Sequence, residues 1–125
     1  ALGASAGPGA LGADEAPIGA FRFAARWLRE QGLDPARLSA IRVEGDSMEA
    51  TLRDGDEILV DRSPRALRDG IHVVRTGDAL LVKRLDTSRP GVIALVSDNP
   101  AYRTLELPPE EVEVIGRVVW KSGRL

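Results

Sequence analysis

The sequence has no cysteine, few aromatic residues and no apolar run long enough to cross a membrane. Without cysteine there can be no disulfide and no thiolate metal site, which fits a reducing compartment. A spanning helix needs about 20 consecutive apolar residues, so we expect no membrane partner and a cytoplasmic location. No zinc, calcium or phosphate-loop signature is present, so we expect neither a metal nor a cofactor. Because aromatics make up only 4% of the chain, the core must consist mainly of Val, Leu, Ile and Ala.

The size and the charge of the chain set further bounds. Its 125 residues are enough for one hydrophobic core and therefore for one domain. The formal net charge is −2, whereas binding to duplex DNA relies on positive side chains that neutralise phosphates. We therefore expect contact with DNA only through an absent amino-terminal domain.

The chain divides into a linker and a folded domain. Residues 1–16 are rich in Gly, Ala and Pro with almost no large apolar side chain, which predicts a flexible linker. In the predicted domain, residues 17–125, a short strand at Phe21–Phe23 precedes short helices at Trp27–Gln31 and Asp34–Leu38. Strands are then predicted at residues 41–44, 57–61, 71–75, 79–85, 92–96 and 112–121. The fold class is mostly β, with antiparallel strands and short amino-terminal helices.

The most informative pair is a serine in a turn and a lysine on a later strand. Ser47 lies in the turn Gly45–Leu52 between two apolar-rich segments, and Lys83 lies in the strand Ala79–Leu85. A serine hydroxyl is a poor nucleophile until a base takes its proton. Burial among apolar groups lowers the pKa of a lysine, so that its neutral amine becomes a usable base. The pair predicts a hydrolytic Ser–Lys dyad.

The strand pattern around Lys83 supports this prediction. Because side chains alternate along a strand, Leu81 and Leu85 share the face of Lys83, while Arg84 points away. The turn Thr76–Asp78 predicts a hairpin that places Lys83 on the return strand. The plainer alternative is a lysine at a sheet edge with its head in water, as is usual for strand lysines.

Four segments carry a family resemblance. They are IRVEGDSMEATLRDGDEILVDRS (Ile41–Ser63), DGIHVVRTGDALLVKRL (Asp69–Leu85), SDNPAY (Ser97–Tyr102) and VEVIGRVVW (Val112–Trp120). In this order they resemble the carboxy-terminal domain of LexA and phage-type repressors, which are self-cleaving Ser–Lys peptidases with a small β fold similar to that of signal peptidases. One departure is Ala50, where the related repressors commonly have a proline that stiffens the turn.

The resemblance implies roles for individual residues. Ser47 would be the nucleophile and Lys83 the general base, and the backbone N–H groups of Asp46 and Ser47 would form the oxyanion hole. The substrate would be the chain's own linker, which such repressors cut at Ala-Gly. Ala6–Gly7 is the matching dipeptide, although an Ala- and Gly-rich segment is expected to contain one by composition.

The implied function is that of the regulatory domain of a helix-turn-helix repressor, which it would hold as a homodimer and inactivate by cutting the linker. In the family, a RecA filament triggers the cut. We expect the strand Val112–Lys121 to lie at a sheet edge and to pair with its twin about a two-fold axis. Its predicted apolar face consists of Val112, Val114, Val118 and Trp120. The alternative is an internal core strand without a partner.

Three other functions fit parts of the pattern. They are a domain that keeps the fold and dimer surface but no longer cuts itself, a membrane-anchored signal peptidase, and an accessory protein of a translesion polymerase. Within the site, a Ser–His–Asp triad through the single histidine, His72, competes with a half-exposed strand residue. Asp54–Asp56 fits a turn better than a calcium loop, because too few carboxylates cluster there.

Overall fold

The described part of the chain, residues 15–125 of this computed structural model, begins with a two-stranded hairpin. Strand β1 (Glu15–Ile18) pairs antiparallel with β2 (Phe21–Ala24). Glu15 and Ala16, which were expected to end the linker, are therefore the first two residues of β1. The rest of the predicted linker, including Ala6–Gly7, lies outside the described residues.

Short helical segments follow the hairpin, as predicted. The α-helix α1 (Ala25–Glu30) comes directly after β2, and a 3-10 turn at Pro35–Arg37 follows it. The side chain of Asp34 caps this turn, because it accepts a hydrogen bond of 3.0 Å from the N–H of Ala36. A second 3-10 turn lies at Pro109–Glu111. Within residues 15–125, no helix is long and apolar enough to span a bilayer.

Seven further strands form one antiparallel sheet, which confirms the mostly β fold class. They are β3 (Leu38–Arg42), β4 (Glu57–Asp61), β5 (Gly70–Thr76), β6 (Ala79–Asp86), β7 (Ile93–Val96), β8 (Leu105–Leu107) and β9 (Glu113–Ser122). Their spatial order is β3-β4-β9-β5-β6-β7-β8, so β3 and β8 are the edges. The sequence gives little signal for β1, which contains a proline, or for the three-residue β8.

Strand β9 lies in the middle of the sheet, so its predicted edge position is wrong. It pairs with β4 on one side, where Val60 faces Val118, and with β5 on the other, where Val73 faces Gly116. Since both of its backbone edges are hydrogen-bonded within the chain, β9 cannot pair with a second copy as a strand.

The predicted faces of β9 are also wrong. Ile115 and Val118 pack against the same core cluster, although strict alternation would place them on opposite faces. Val119 and Trp120 both pack against another cluster. The register of β9 shifts once against each neighbouring strand, and such a bulge moves the following side chains to the other face.

Strand β4 buries both of its faces and so divides the interior. Ile58 and Val60 belong to a cluster that also contains Val43, Met48, Leu52 and Val73. Leu59 faces the opposite way, into a cluster beneath the hairpin and α1 that also contains Ile18, Leu28 and Leu38. A third cluster lies under β5 to β7 and contains Val74, Leu85, Ile93 and Leu95. The first cluster anchors the turn that carries Ser47.

Candidate active site

Buried side chains and internal hydrogen bonds hold the turn that carries Ser47 against the core. Met48, next to Ser47, is 2% exposed, and Leu52 is also buried. The N–H of Leu52 donates to the carbonyl of Met48 at 2.8 Å, and the N–H of Gly45 donates to Asp54 Oδ1 at 2.7 Å. Asp54 thus has the turn-forming role that the sequence predicts. The result is a rigid turn that leaves the side chain of Ser47 half-buried.

Lys83 meets Ser47 from strand β6. A two-residue connection closes the β5–β6 hairpin, and Gly77 adopts the positive φ of 56° that its turn requires. Lys83 Nζ lies 3.1 Å from Ser47 Oγ and 2.8 Å from Ser97 Oγ, and 5.8 Å from the centre of the Tyr102 ring. The structure therefore brings together the two residues that the sequence predicts as a dyad.

Burial changes the acid–base behaviour of Lys83. Loss of hydration disfavours the charged ammonium form and lowers the pKa of Lys83. The neutral amine is therefore available at lower pH than for a lysine in water. An amine within hydrogen-bond reach of a serine hydroxyl can take its proton, which is the geometry that general-base catalysis needs.

The backbone of the same turn offers candidate oxyanion donors. Within residues 15–125, the N–H groups of Asp46 and Ser47 have no hydrogen-bond acceptor. The carbonyls of these two residues do have partners, since Asn99 Nδ2 donates to Asp46 at 3.0 Å and the N–H of Asn99 donates to Ser47 at 3.0 Å. Fixed N–H groups without an internal acceptor can stabilise a developing negative charge.

A corner formed by residues 97–102 supports the whole site, and sequence reasoning gave these residues no role. Ser97 and Asn99 contact Lys83 and the nucleophile turn as described, and the hydroxyl of Tyr102 donates to Asp46 Oδ1. This bond to a carboxylate raises the pKa of Tyr102. The segment SDNPAY, already part of the family resemblance, was the only sequence signal for this corner.

A small cleft of about 300 Å³ lies beside the Ser–Lys pair. Met48 and Val82 line it with apolar surface, and Leu80, which is 50% exposed, stands at its edge. Arg42 and Glu44 supply charge on the side of β3. A larger groove of about 1170 Å³ includes neither member of the pair and lies along β9. The smaller cleft is therefore the candidate substrate site, because Ser47 and Lys83 both line it.

His72 does not complete a triad with Ser47. Its Nδ1 lies 2.9 Å from the carbonyl oxygen of Gly70, and the residue lines the larger groove rather than the cleft. His72 is buried, not half-exposed as the sequence suggested, and burial lowers its pKa. Within residues 15–125, no group of three His, Cys, Asp or Glu residues could hold a metal ion.

This chain is similar in sequence to one protein family and to several curated proteins. The family described as Peptidase S24-like matches residues 2–119. The 26 kDa repressor protein of Escherichia phage HK022 is 39% identical over 96% of this chain and 54% of its own length. The LexA repressor of Oleidesulfovibrio alaskensis is 38% identical over 66% of this chain and 41% of its own length. Protein SamA of Salmonella typhimurium is 40% identical over 67% of this chain and 58% of its own length. The chain thus spans about half the length of these curated relatives.

Proposed function

This chain belongs to the Peptidase S24-like family, and we propose that it is the carboxy-terminal regulatory domain of a helix-turn-helix repressor that cuts its own linker. The observation that carries the proposal is the hydrogen bond of 3.1 Å between Lys83 Nζ and Ser47 Oγ. The similarity to phage and LexA repressors supports the regulatory context. Binding to DNA would require a domain outside this chain.

In the proposed reaction, the neutral amine of Lys83 takes the proton of Ser47 as Oγ attacks the carbonyl carbon of Ala6. The negative charge on the carbonyl oxygen is stabilised by the N–H groups of Asp46 and Ser47. The Ala6–Gly7 bond breaks when the Lys83 ammonium gives its proton to the leaving amine of Gly7. An ester between Ser47 Oγ and the carbonyl carbon of Ala6 remains. Water attacks this carbon as the amine of Lys83 takes its proton, and the Lys83 ammonium returns a proton to Ser47 Oγ as the ester bond breaks and the carboxylate of Ala6 leaves.

The cleft suits such a substrate by size. A space of about 300 Å³, lined in part by Met48 and Val82, lies at the small end of the range for ligand pockets and can take a short piece of chain with small side chains. In this proposal, a RecA filament would act by stabilising the pose in which the linker occupies the cleft. The setting would be the cytoplasm, where such a filament and the operator DNA are found.

We propose a homodimer that uses the groove along β9 rather than strand pairing. Leu67 is 43% exposed and Val114 is 37% exposed in this groove, so it presents apolar surface to solvent. Three arginines in its lining, Arg62, Arg65 and Arg68, form a basic rim, while Glu110, Glu111 and Glu113 are sequence neighbours of the lining residues Pro109, Val112 and Val114. A two-fold axis would place the basic rim of one copy on the acidic residues of the other.

Mass spectrometry of the 125-residue chain after incubation at about pH 9, where a lysine with a lowered pKa has a larger neutral fraction than a lysine in water, tests the cleavage. We expect a product that begins at Gly7. Ser47→Ala and Lys83→Ala should each stop its formation, while Ser88→Ala, which changes an exposed serine outside the site, should not. An unmutated chain that stays intact across pH 7 to 11 would indicate a domain that keeps the fold without cutting itself.

A further inference from the structure

We propose that the segment Ser97–Asn99 positions both members of the Ser47–Lys83 pair. Ser97 would orient the amine of Lys83, and Asn99 would help to orient the N–H of Ser47, one of the two proposed oxyanion donors. The inference rests on the proposed function, but one of its two measurements does not require any cleavage.

The geometry at Ser97 carries the first half of the inference. Ser97 is 8% exposed and follows the β7 residue that pairs with Arg84, so it lies beside Lys83 across the sheet. Its hydroxyl oxygen accepts from Lys83 Nζ at 2.8 Å, a shorter bond than the 3.1 Å to Ser47. A neutral amine has two N–H donors and one lone pair. When one N–H is committed to Ser97, the lone pair is free to face the hydroxyl of Ser47.

The neighbouring residue keeps Ser97 in place. Asp98 accepts from Arg84 Nε at 2.9 Å and from Arg84 Nη2 at 2.8 Å, and it also accepts from Thr51 Oγ1 at 2.6 Å. These bonds join the corner to β6 on one side and to the nucleophile turn on the other. Ser97 is therefore held by groups other than the lysine that it contacts.

The geometry at Asn99 carries the second half. Asn99 Oδ1 accepts from the N–H of Ala101 at 3.0 Å, which leaves Nδ2 to donate to the carbonyl of Asp46. In a trans peptide, the carbonyl of Asp46 and the N–H of Ser47 point in opposite directions. The N–H of Glu49 donates to the same carbonyl at 3.2 Å, so Asn99 and Glu49 together hold it and direct the N–H of Ser47 to the opposite side of the peptide. The bond from the N–H of Asn99 to the carbonyl of Ser47 fixes the next peptide plane in the same way.

The titration of Lys83 can be distinguished from the titrations of two neighbouring groups, His72 and Tyr102. The charged or titratable residues near this region are Arg42, Glu44, Asp46, Glu49, Arg84, Asp98 and Tyr102. His72 is the ladder partner of Lys83 on β5, although it lines the larger groove. The pKa of His72 is lowered, so it is neutral in alkaline solution, and the pKa of Tyr102 is raised by Asp46. A titration of Lys83 below about pH 10 is therefore not overlaid by these two groups.

The first measurement follows the lysine amines by NMR as the pH is raised. The chain has two lysines, Lys83 and Lys121, so the second is an internal control. Ser97→Ala removes an acceptor from the ammonium form, so the midpoint of Lys83 should fall by about half to one pH unit. Lys121 should not move, Ser97→Thr should restore the midpoint, and Asn99→Ala should leave it unchanged. An unchanged Lys83 midpoint in folded Ser97→Ala would overturn the role of Ser97.

The second measurement is the pH profile of cutting. Ser97→Ala should lower the plateau rate roughly tenfold and shift the midpoint to lower pH. Asn99→Ala should lower the rate about 10- to 100-fold at every pH with no shift, because the donors rather than the base are disturbed. Asn99→Asp keeps the acceptor for the N–H of Ala101 but loses the donor to the carbonyl of Asp46, so it should lower the rate as Asn99→Ala does. A rate equal to that of the unmutated chain in both Asn99 variants would overturn the role of Asn99.

The two measurements separate this inference from the proposed function. If the unmutated chain never cuts but Ser97→Ala moves the Lys83 midpoint, the proposed function fails and the orientation of the amine by Ser97 stands. If cutting depends on Ser47 but is indifferent to Ser97 and Asn99, the proposed function stands and the positioning roles fail.

Discussion

Arg84 holds Asp98 in a two-pronged ion pair beside the Ser–Lys pair. Arg84 Nε lies 2.9 Å from Oδ1 of Asp98, and Arg84 Nη2 lies 2.8 Å from Oδ2. The hydrogen bonds from Arg84 are the main cause of the lowered pKa of Asp98, and they also raise the pKa of Arg84. Arg84 follows Lys83 directly on β6, so the ion pair ties the strand of the lysine to the corner that contacts it.

We expect Asp98→Asn to destabilise the fold at neutral pH by about 1 to 2 kcal/mol. This figure is kept low because the side chain of Arg84 is 44% exposed, which weakens the pair through solvent screening. The pKa of Asp98 is lower in the folded chain than in the unfolded chain, so its contribution exists above the unfolded value and disappears as the pH falls through the folded value. Urea unfolding at pH 7 and at about pH 3 should show a smaller difference between variant and parent at pH 3 than at pH 7. An equal difference at both values would contradict an ionic origin.

We expect the rate of self-cleavage to rise with pH and then level off. Because burial lowers the pKa of Lys83, the midpoint of the rise should lie below the value of about 10.4 that is normal for lysine. Below its midpoint the rate should increase about tenfold per pH unit, as the neutral amine increases. Quantifying product by mass spectrometry between pH 6 and 11, with folding checked by circular dichroism, tests this. A rate that falls over this range in the folded protein would contradict lysine as the base.

The nucleophile turn and the lysine strand could be predicted because each has a local signature. Ser47 lies in a polar turn between apolar segments, and the alternation along β6 places Lys83 beside Leu81 and Leu85. The contacts of Ser97 and Asn99 could not be predicted in this way. They join residues 14 and 53 positions apart, and only the fold of the sheet brings them together.

We expect Gly116→Ala to be among the costlier small substitutions in the sheet. A Cβ at Gly116 would lie 2.5 Å from the carbonyl oxygen of Asp61 and 2.7 Å from Val60 Cγ1, so β4 and β9 would have to separate. The expected loss is about 2 to 3 kcal/mol, as for an overpacked core. Gly32→Ala is the matched control, because Gly32 has open space around it and only a positive φ of 74° to strain, at about 1 kcal/mol. Thermal or urea unfolding should rank the two in this order, and the reverse order would contradict the close approach.

The sequence predicts that β9 is a strand, but it does not predict which strands lie beside it or which side chains share a face. An apolar strand near the end of a chain gives the same pattern whether it lies at an edge or between two partners. The bulges against β4 and β5 then break the alternation from which its faces were derived. The exposed apolar surface of this region is therefore found not on a strand edge but in the groove that includes Leu67 and Val114.

We expect this groove to hold two copies together. Light scattering at micromolar concentration should give about twice the chain mass of 13.4 kDa. Leu67→Asp should shift the protein toward monomer, because it places an unpaired charge in the apolar part of the interface. Leu105→Asp is the matched control, since Leu105 is 47% exposed but does not line the groove. High salt should weaken a dimer in which the basic rim meets the acidic residues. A monomer at all concentrations, or equal effects of the two substitutions, would contradict this interface.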